Sequence, residues 1–239
     1  MTANNSKDDC SLRLDQGLQD FMRRCRVVAF DLDGTLLNSI AQIEACFVQT
    51  FAQERLPVPS TEQIHSIIGL SLHEGIRRLL PDPEDRELMT QVTARYLARF
   101  KQDPELSRPV LFSGVGELLS ELKAHGYKLA LASGKYYADV QLVLQSFPDM
   151  AALLDTVVTS DRTACKPDPL MMHRIAQGCG CEATEILGVG DTLLDIEMYR
   201  NAHSGELGVL SGVCTWEQLQ SIKAQFILPK ATALRAYLP

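Results

Sequence analysis

The chain has 239 residues, 46% of them hydrophobic and 22% charged, with 15 Gly and 11 Pro, a composition that excludes collagen-like, low-complexity and disulfide-scaffold classes. Net charge is −7 with no block of Lys or Arg, which argues against nucleic acid as a partner, and no run of 18 apolar residues offers a membrane span. The seven cysteines are scattered and lack zinc-site spacing, so they read as reduced thiols and the protein as cytoplasmic.

In chain order, residues 1–25 are polar, carry no apolar signal-peptide segment and read as an N-terminal tail. Residues 26–30 form a short apolar run that stops at Asp31-Leu32-Asp33-Gly34-Thr35. This pattern predicts a buried strand ending in a turn of carboxylates, with Gly34 relieving the backbone. From about Ser39 to Arg108 the spacing is helical, over 41–54, 61–68, 72–80 and 86–101, punctuated by Pro57, Pro59, Pro81, Pro83 and Pro104. A further helix is predicted over 114–125, with Leu118, Leu119 and Leu122 on one face and Gly126 at its end. Apolar runs then recur at 128–132, 156–159, 185–189 and 206–210, separated by helix-length segments.

Strands alternating with helices predict an α/β fold, a doubly wound, mostly parallel, Rossmann-like sheet covered on both faces. The all-helical stretch breaks the alternation and reads as a small cap domain inserted after the first strand. The expected division is a core of residues 26–39 and 109–239 and a cap of residues 40–108, hinged near Ile40 and Pro109.

Ligands of open parallel sheets bind outside the carboxyl ends of the strands. Polar clusters fall at such ends: Asp31 to Thr35, Ser133-Gly134-Lys135, Lys166-Pro167-Asp168-Pro169, and Gly190-Asp191 with Asp195. Each alone is a common turn or helix-cap pattern, and Asp191 and Asp195 also suit the start of a helix. Their conjunction is what points to chemistry. Carboxylates gathered in one place repel one another, and a divalent cation with a taste for oxygen ligands, Mg2+, relieves that repulsion. Lys166 and the Ser133 hydroxyl could hold the remaining oxygens of a phosphate, a set suited to phosphoryl transfer.

These clusters, in this order, resemble the motifs of the haloacid dehalogenase superfamily of phosphohydrolases. Phe30-Asp31-Leu32-Asp33-Gly34-Thr35-Leu36 is similar to the first motif, Ser133 stands in the second, Lys166 in the third, and Gly190-Asp191 with Asp195 in the fourth. The helical insertion, with Ile68-Gly69-Leu70-Ser71-Leu72 and Ser113-Gly114-Val115, resembles the cap of the group containing phosphoglycolate phosphatase and related pyrophosphatases. The resemblance implies Asp31 as nucleophile, forming an aspartyl-phosphate, and Asp33 as general acid and base. It implies Ser133, the Gly134 N–H and Lys166 as phosphate-binding groups. Mg2+ would be held by Asp31, the Asp33 carbonyl and Asp191, with Thr35 and Asp195 in support.

Within that superfamily the second acid separates chemistries, and Asp33 favours esters and anhydrides of phosphate over haloacids. A small phosphorylated metabolite is the expected partner, acted on by a monomer or homodimer. A sugar-phosphate mutase or a pyrophosphatase is the alternative enzyme, and a phosphometabolite-binding module without catalysis is the alternative of another class. Selection among substrates would fall to the cap loop around Gly69, with Ser71, His73, Arg77 and Arg78 nearby.

Overall fold

The structure is a computed structural model that describes residues 16–239. A helix occupies residues 16–24 (α1) and leads into β1 (Val27–Phe30). The cap segment follows with α2 (Ile40–Gln53), α3 (Thr61–His65), α4 (Leu72–Leu79), α5 (Arg86–Gln102) and α6 (Pro104–Ser107). The chain then alternates: α7 (Val115–Ala124), β2 (Lys128–Ser133), α8 (Tyr137–Ser146), α9 (Pro148–Leu153), β3 (Thr156–Thr159), α10 (Leu170–Cys179), β4 (Ile186–Gly190), α11 (Leu193–Asn201), β5 (Gly205–Val209), α12 (Trp216–Ser221) and β6 (Phe226–Leu228). The strands form one all-parallel sheet in the order β3-β2-β1-β4-β5-β6, so the order reverses direction at β1 and β4. That reversal opens a crevice at the carboxyl ends of the central strands, where ligands of such sheets bind.

Alternation along β1 explains why both faces of the sheet are covered. Val28 and Phe30 enter a core with α1, α7 and α8, whereas Val27 and Ala29 enter a second one with α10, α11 and α12. The cap helices enclose a third cluster of their own, built on Phe47, Phe51, Ile64, Ile76, Val92 and Tyr96.

The expected N-terminal tail of residues 1–25 needs correcting at its end. Residues 1–15 lie outside the described residues, but residues 16–24 are helical and bury Leu18, Phe21 and Met22 in the core. Tyr127 ties this helix down, its hydroxyl donating to the Met22 carbonyl at 2.8 Å. The core therefore begins before residue 26. The sheet also has a sixth strand, β6, that the apolar runs do not announce. No helix among the described residues is long and apolar enough to cross a membrane.

The chain leaves the core for the cap and returns to it at adjacent points. Asn38 N–H donates to the Val110 carbonyl at 2.8 Å and Phe112 N–H to Leu36 at 2.9 Å, around an antiparallel bridge between Leu37 and Leu111.

Candidate active site

β1 is held in register with β2 on one side and β4 on the other, so Asp31 emerges between the strand ends that carry Ser133 and Asp191. The Asp31 N–H still donates to the Val189 carbonyl at 2.8 Å, extending the ladder one residue past the strand and fixing the carboxylate's origin. Gly34 then takes φ +78°, a left-handed turn, and its N–H donates to the Leu37 carbonyl at 2.8 Å. Its own carbonyl accepts from the Ser211 hydroxyl at 2.8 Å.

Asp31 is buried against the Lys166 ammonium, with Nζ 2.5 Å from Oδ1. Lys166 is itself buried and reaches Asp195 Oδ1 at 2.7 Å. The second Asp195 oxygen accepts from the Thr192 N–H at 3.1 Å and the Thr192 hydroxyl at 2.6 Å, in a reciprocal cap of α11. Asp195 thus serves as both helix cap and lysine anchor, and both its oxygens are engaged. Burial pushes the Asp31 carboxyl up to about 7 against the opposing pull of Lys166. Burial also works against the Lys166 charge, but Asp195 and Asp31 outweigh it and hold the ammonium above its ordinary range.

Asp191 is fully buried, its oxygens accepting from the Thr35 hydroxyl at 2.7 Å and the Val213 N–H at 3.1 Å. Burial, then the neighbouring charges of Asp31 and Asp195, drives its carboxyl well above the usual carboxylate range. Ligand atoms of Asp31, Asp191 and Asp195 lie within 4.8 Å of one another. Three carboxylates around the single ammonium of Lys166 leave an excess of buried negative charge on an all-oxygen donor set, which fits a hard divalent cation.

Asp33 stands in different surroundings from Asp31. Ser39 donates to its Oδ1 at 2.7 Å and Lys135 Nζ lies 2.9 Å from Oδ2. Asp31, Asp33 and Gly134 line a cavity of about 520 Å³ between core and cap. Ser133 and Lys166 are buried beside it and do not line it; the Ser133 oxygen accepts from the Lys135 N–H at 3.2 Å. Gly134 lies directly under the Gly69 and Leu70 carbonyls of the cap loop, so closely that a Cβ there would overlap both. The cap loop accordingly rests on the second strand-end cluster.

Of the residues expected at these strand ends, ion pairs join Asp31, Lys166 and Asp195, and a hydrogen bond joins Thr35 to Asp191. Asp33 and Gly134 share the cavity with Asp31; Ser133 is buried at the end of β2, and Asp168 turns to the Leu170 N–H at 2.9 Å. The structure does not bring His73, Arg77 or Arg78 to the cavity: both arginines pair with Glu74, at 2.8 and 2.7 Å, and His73 is exposed. Ser71 and Gly69 do line it. The sequence reading missed Ser39, Lys135, Thr192, Ser211 and the Val213 N–H as holders of the carboxylates and their turn. Lys135 was the most findable of these, since it follows Ser133-Gly134 directly.

The family model of the haloacid dehalogenase-like hydrolases matches residues 28–209. Among relatives, the probable phosphatase IndB of Dickeya dadantii is 31% identical over 204 residues, covering 84% of this chain and 88% of its own. A phosphoglycolate phosphatase of Thiobacillus denitrificans is 29% identical over 191 residues, covering 77% and 83%. A haloacid dehalogenase-like family hydrolase from Streptococcus pneumoniae superposes with a TM-score of 0.76 at 22% identity, covering 91% of this chain and 100% of its own, a likeness of fold. The matched span runs from the second residue of β1 to the end of β5 and takes in every carboxylate described above, and the chain belongs to the haloacid dehalogenase-like hydrolase family.

Proposed function

We propose that this hydrolase is a Mg2+-dependent phosphatase that cleaves a small phosphate monoester through an aspartyl-phosphate on Asp31. The observation that carries the reading is the contrast between two carboxylates on one turn. Asp31 is buried against Lys166, whereas Asp33 faces the cavity between Ser39 and Lys135. Two acids in unlike surroundings are what a nucleophile and a proton carrier require.

In this reading, Asp31 Oδ2 attacks phosphorus while Oδ1 stays on Lys166, so the nucleophile is aimed by the ion pair. The new P–O bond to Asp31 forms as the bond to the leaving oxygen breaks, and Asp33 gives that oxygen its proton. Asp33 then takes a proton from the water that cleaves the aspartyl-phosphate, releasing inorganic phosphate. The Ser133 hydroxyl, the Gly134 N–H and Lys166 bind the non-reacting phosphate oxygens. Asp31, the Asp33 carbonyl and Asp191 would hold Mg2+, which supplies neutralisation of the phosphoryl charge. Thr35 and the Val213 N–H orient Asp191, and Asp195 anchors Lys166.

Hydrolysis of p-nitrophenyl phosphate should require Mg2+, fall to background in EDTA and return when Mg2+ is restored. Beryllofluoride should form an Asp31 adduct visible by 19F NMR under the same conditions. Turnover that is indifferent to EDTA, or its complete absence, would remove the proposal.

Gly212 gives a finer test of Asp191. A Cβ there would overlap Asp191 Oδ2, so Gly212→Ala should rotate the carboxylate off Thr35 and Val213. The Mg2+ concentration for half-maximal activity should rise about 10–100-fold, the usual result of disturbing a ligand's supporting contacts. Titrating Mg2+ against initial rate checks this, with Gly116→Ala, whose Cβ meets nothing within 4 Å, as the control.

A further inference from the structure

The cavity above Asp31 and Asp33 is far larger than the phosphate needs. At about 520 Å³ it falls in the range of sites that enclose a whole small molecule. Its upper walls are Phe47, Tyr96, Leu97 and Phe100 of the cap with Leu142 and Val143 of α8. The aromatic part is continuous: the Phe47 and Tyr96 ring centroids are 4.7 Å apart, and Phe100 lies nearly parallel to Tyr96, at 7° and 6.3 Å. It also adjoins the acid. Lys135 Nζ, 2.9 Å from Asp33, stands 5.9 Å from the Phe100 ring centroid. A group leaving from an oxygen beside Asp33 therefore departs toward Phe100.

The charges along this wall are ill suited to an anionic leaving group. Among the described residues that line the cavity there is no arginine or histidine. Of its lysines, Lys135 is held by Asp33, and Lys101 lies exposed in the last turn of α5. Asp139 lines the same space. A carboxylate or second phosphate pressed against Phe100 and Leu142 would lose hydration and meet Asp139, with only the solvated Lys101 at the cavity's exposed edge to offset it. The cap's arginines do not compensate, since Arg77 and Arg78 are turned onto Glu74.

From this we infer that the preferred substrate is a phosphate monoester whose leaving alcohol is uncharged and bears an apolar, ring-sized group, seated between Phe100 and Leu142. The inference rests on the phosphatase reading above, and it sets this chain apart from a phosphatase for phosphoglycolate or pyrophosphate.

The test compares kcat/KM for 2-phenylethyl phosphate, ethyl phosphate, phosphoglycolate and pyrophosphate, with acetyl phosphate as a small activated substrate. The phenylethyl ester should exceed each of the other three by about tenfold or more, the range one well-placed apolar group gives. Phe100→Ala should shrink that margin by about tenfold. Leu142 is 55% exposed, so Leu142→Arg adds a cation to the wall without touching the core, and it should move the ratio toward phosphoglycolate. Equal or better use of phosphoglycolate or pyrophosphate by the wild type overturns the inference while hydrolysis itself stands. Failure of every ester and of acetyl phosphate in Mg2+ overturns the phosphatase reading, and this inference with it.

Discussion

Asp31→Asn should lower kcat for any phosphate ester by about 10⁴-fold or more, the usual consequence of removing a nucleophile while its supporting groups remain. The asparagine cannot form the acyl-phosphate, so the beryllofluoride adduct should vanish as well. Retention of even a tenth of the wild-type rate would mean that another group attacks phosphorus. The same substitution has a second readout with a definite sign. Burial raises the Asp31 carboxyl from 3.8 in the unfolded chain to about 7 in the folded one. Below pH 4 both states hold the proton and the contribution to stability is complete; as pH climbs toward and through 7, the folded state must give it up and stability falls. The metal-free variant has no such proton to lose. Its Tm in EDTA should therefore rise relative to wild type as pH goes from 4 to 8, measured by calorimetry in matched buffers. Asp191 is raised by burial and then by the Asp31 charge, so losing that charge should relax the Asp191 shift in the variant and add to the difference in the same sense.

Lys166→Met is the second large effect, and it falls on stability as well as rate. Its ammonium lies 2.5 Å from Asp31 and 2.7 Å from Asp195, and all three side chains are buried. Removing one partner from a buried ion cluster leaves the others uncompensated, which typically costs about 3–5 kcal/mol. Urea denaturation at pH 8 without metal should show a loss of that size, and a smaller one at pH 5, where Asp31 can hold its proton. Activity should fall about 10²–10³-fold or more even in saturating Mg2+, as when one preorganised electrostatic donor is lost. Lys166→Arg should recover little of it, because a planar guanidinium cannot occupy the point between two carboxylates that an ammonium fills. An unchanged urea midpoint would show that the three-way contact carries no net interaction.

Much of this arrangement was legible before any coordinates. The strand-end clusters stood out because a hydrophobic run that stops at Asp, Ser or Gly is visible in one dimension, and a parallel sheet then carries such stops to one edge. Asp33 was legible for the same reason, but its holders were not. Ser39 and Lys135 meet on Asp33 only after the turn closes and β2 docks on β1, and neither residue type announces that role. The helix at residues 16–24 is a different kind of miss. Leu18, Phe21, Met22 and Cys25 follow the i, i+3, i+4, i+7 spacing of a buried helix face, and the polar residues between them masked it. β6 is three residues long, and nothing local separates so short a run from a loop. Arg77 and Arg78 failed as substrate contacts because Glu74, three and four residues earlier on the same helix, takes them first.

The adjoining exit and return of the chain at Leu37 and Leu111 make the whole cap, topologically, the loop of a hairpin. Lengthening a loop whose ends are already pinned adds little closure entropy, so the sheet folds almost regardless of what the loop contains. The cap's share of the leaving-group wall, Phe47, Tyr96 and Phe100, is thereby written in a stretch of the gene separate from the carboxylates, while Leu142 and Val143 of α8 stay with the core. A cap of another length or polarity could be spliced in at this doorway, and the chemistry beneath would pass unchanged to a new substrate.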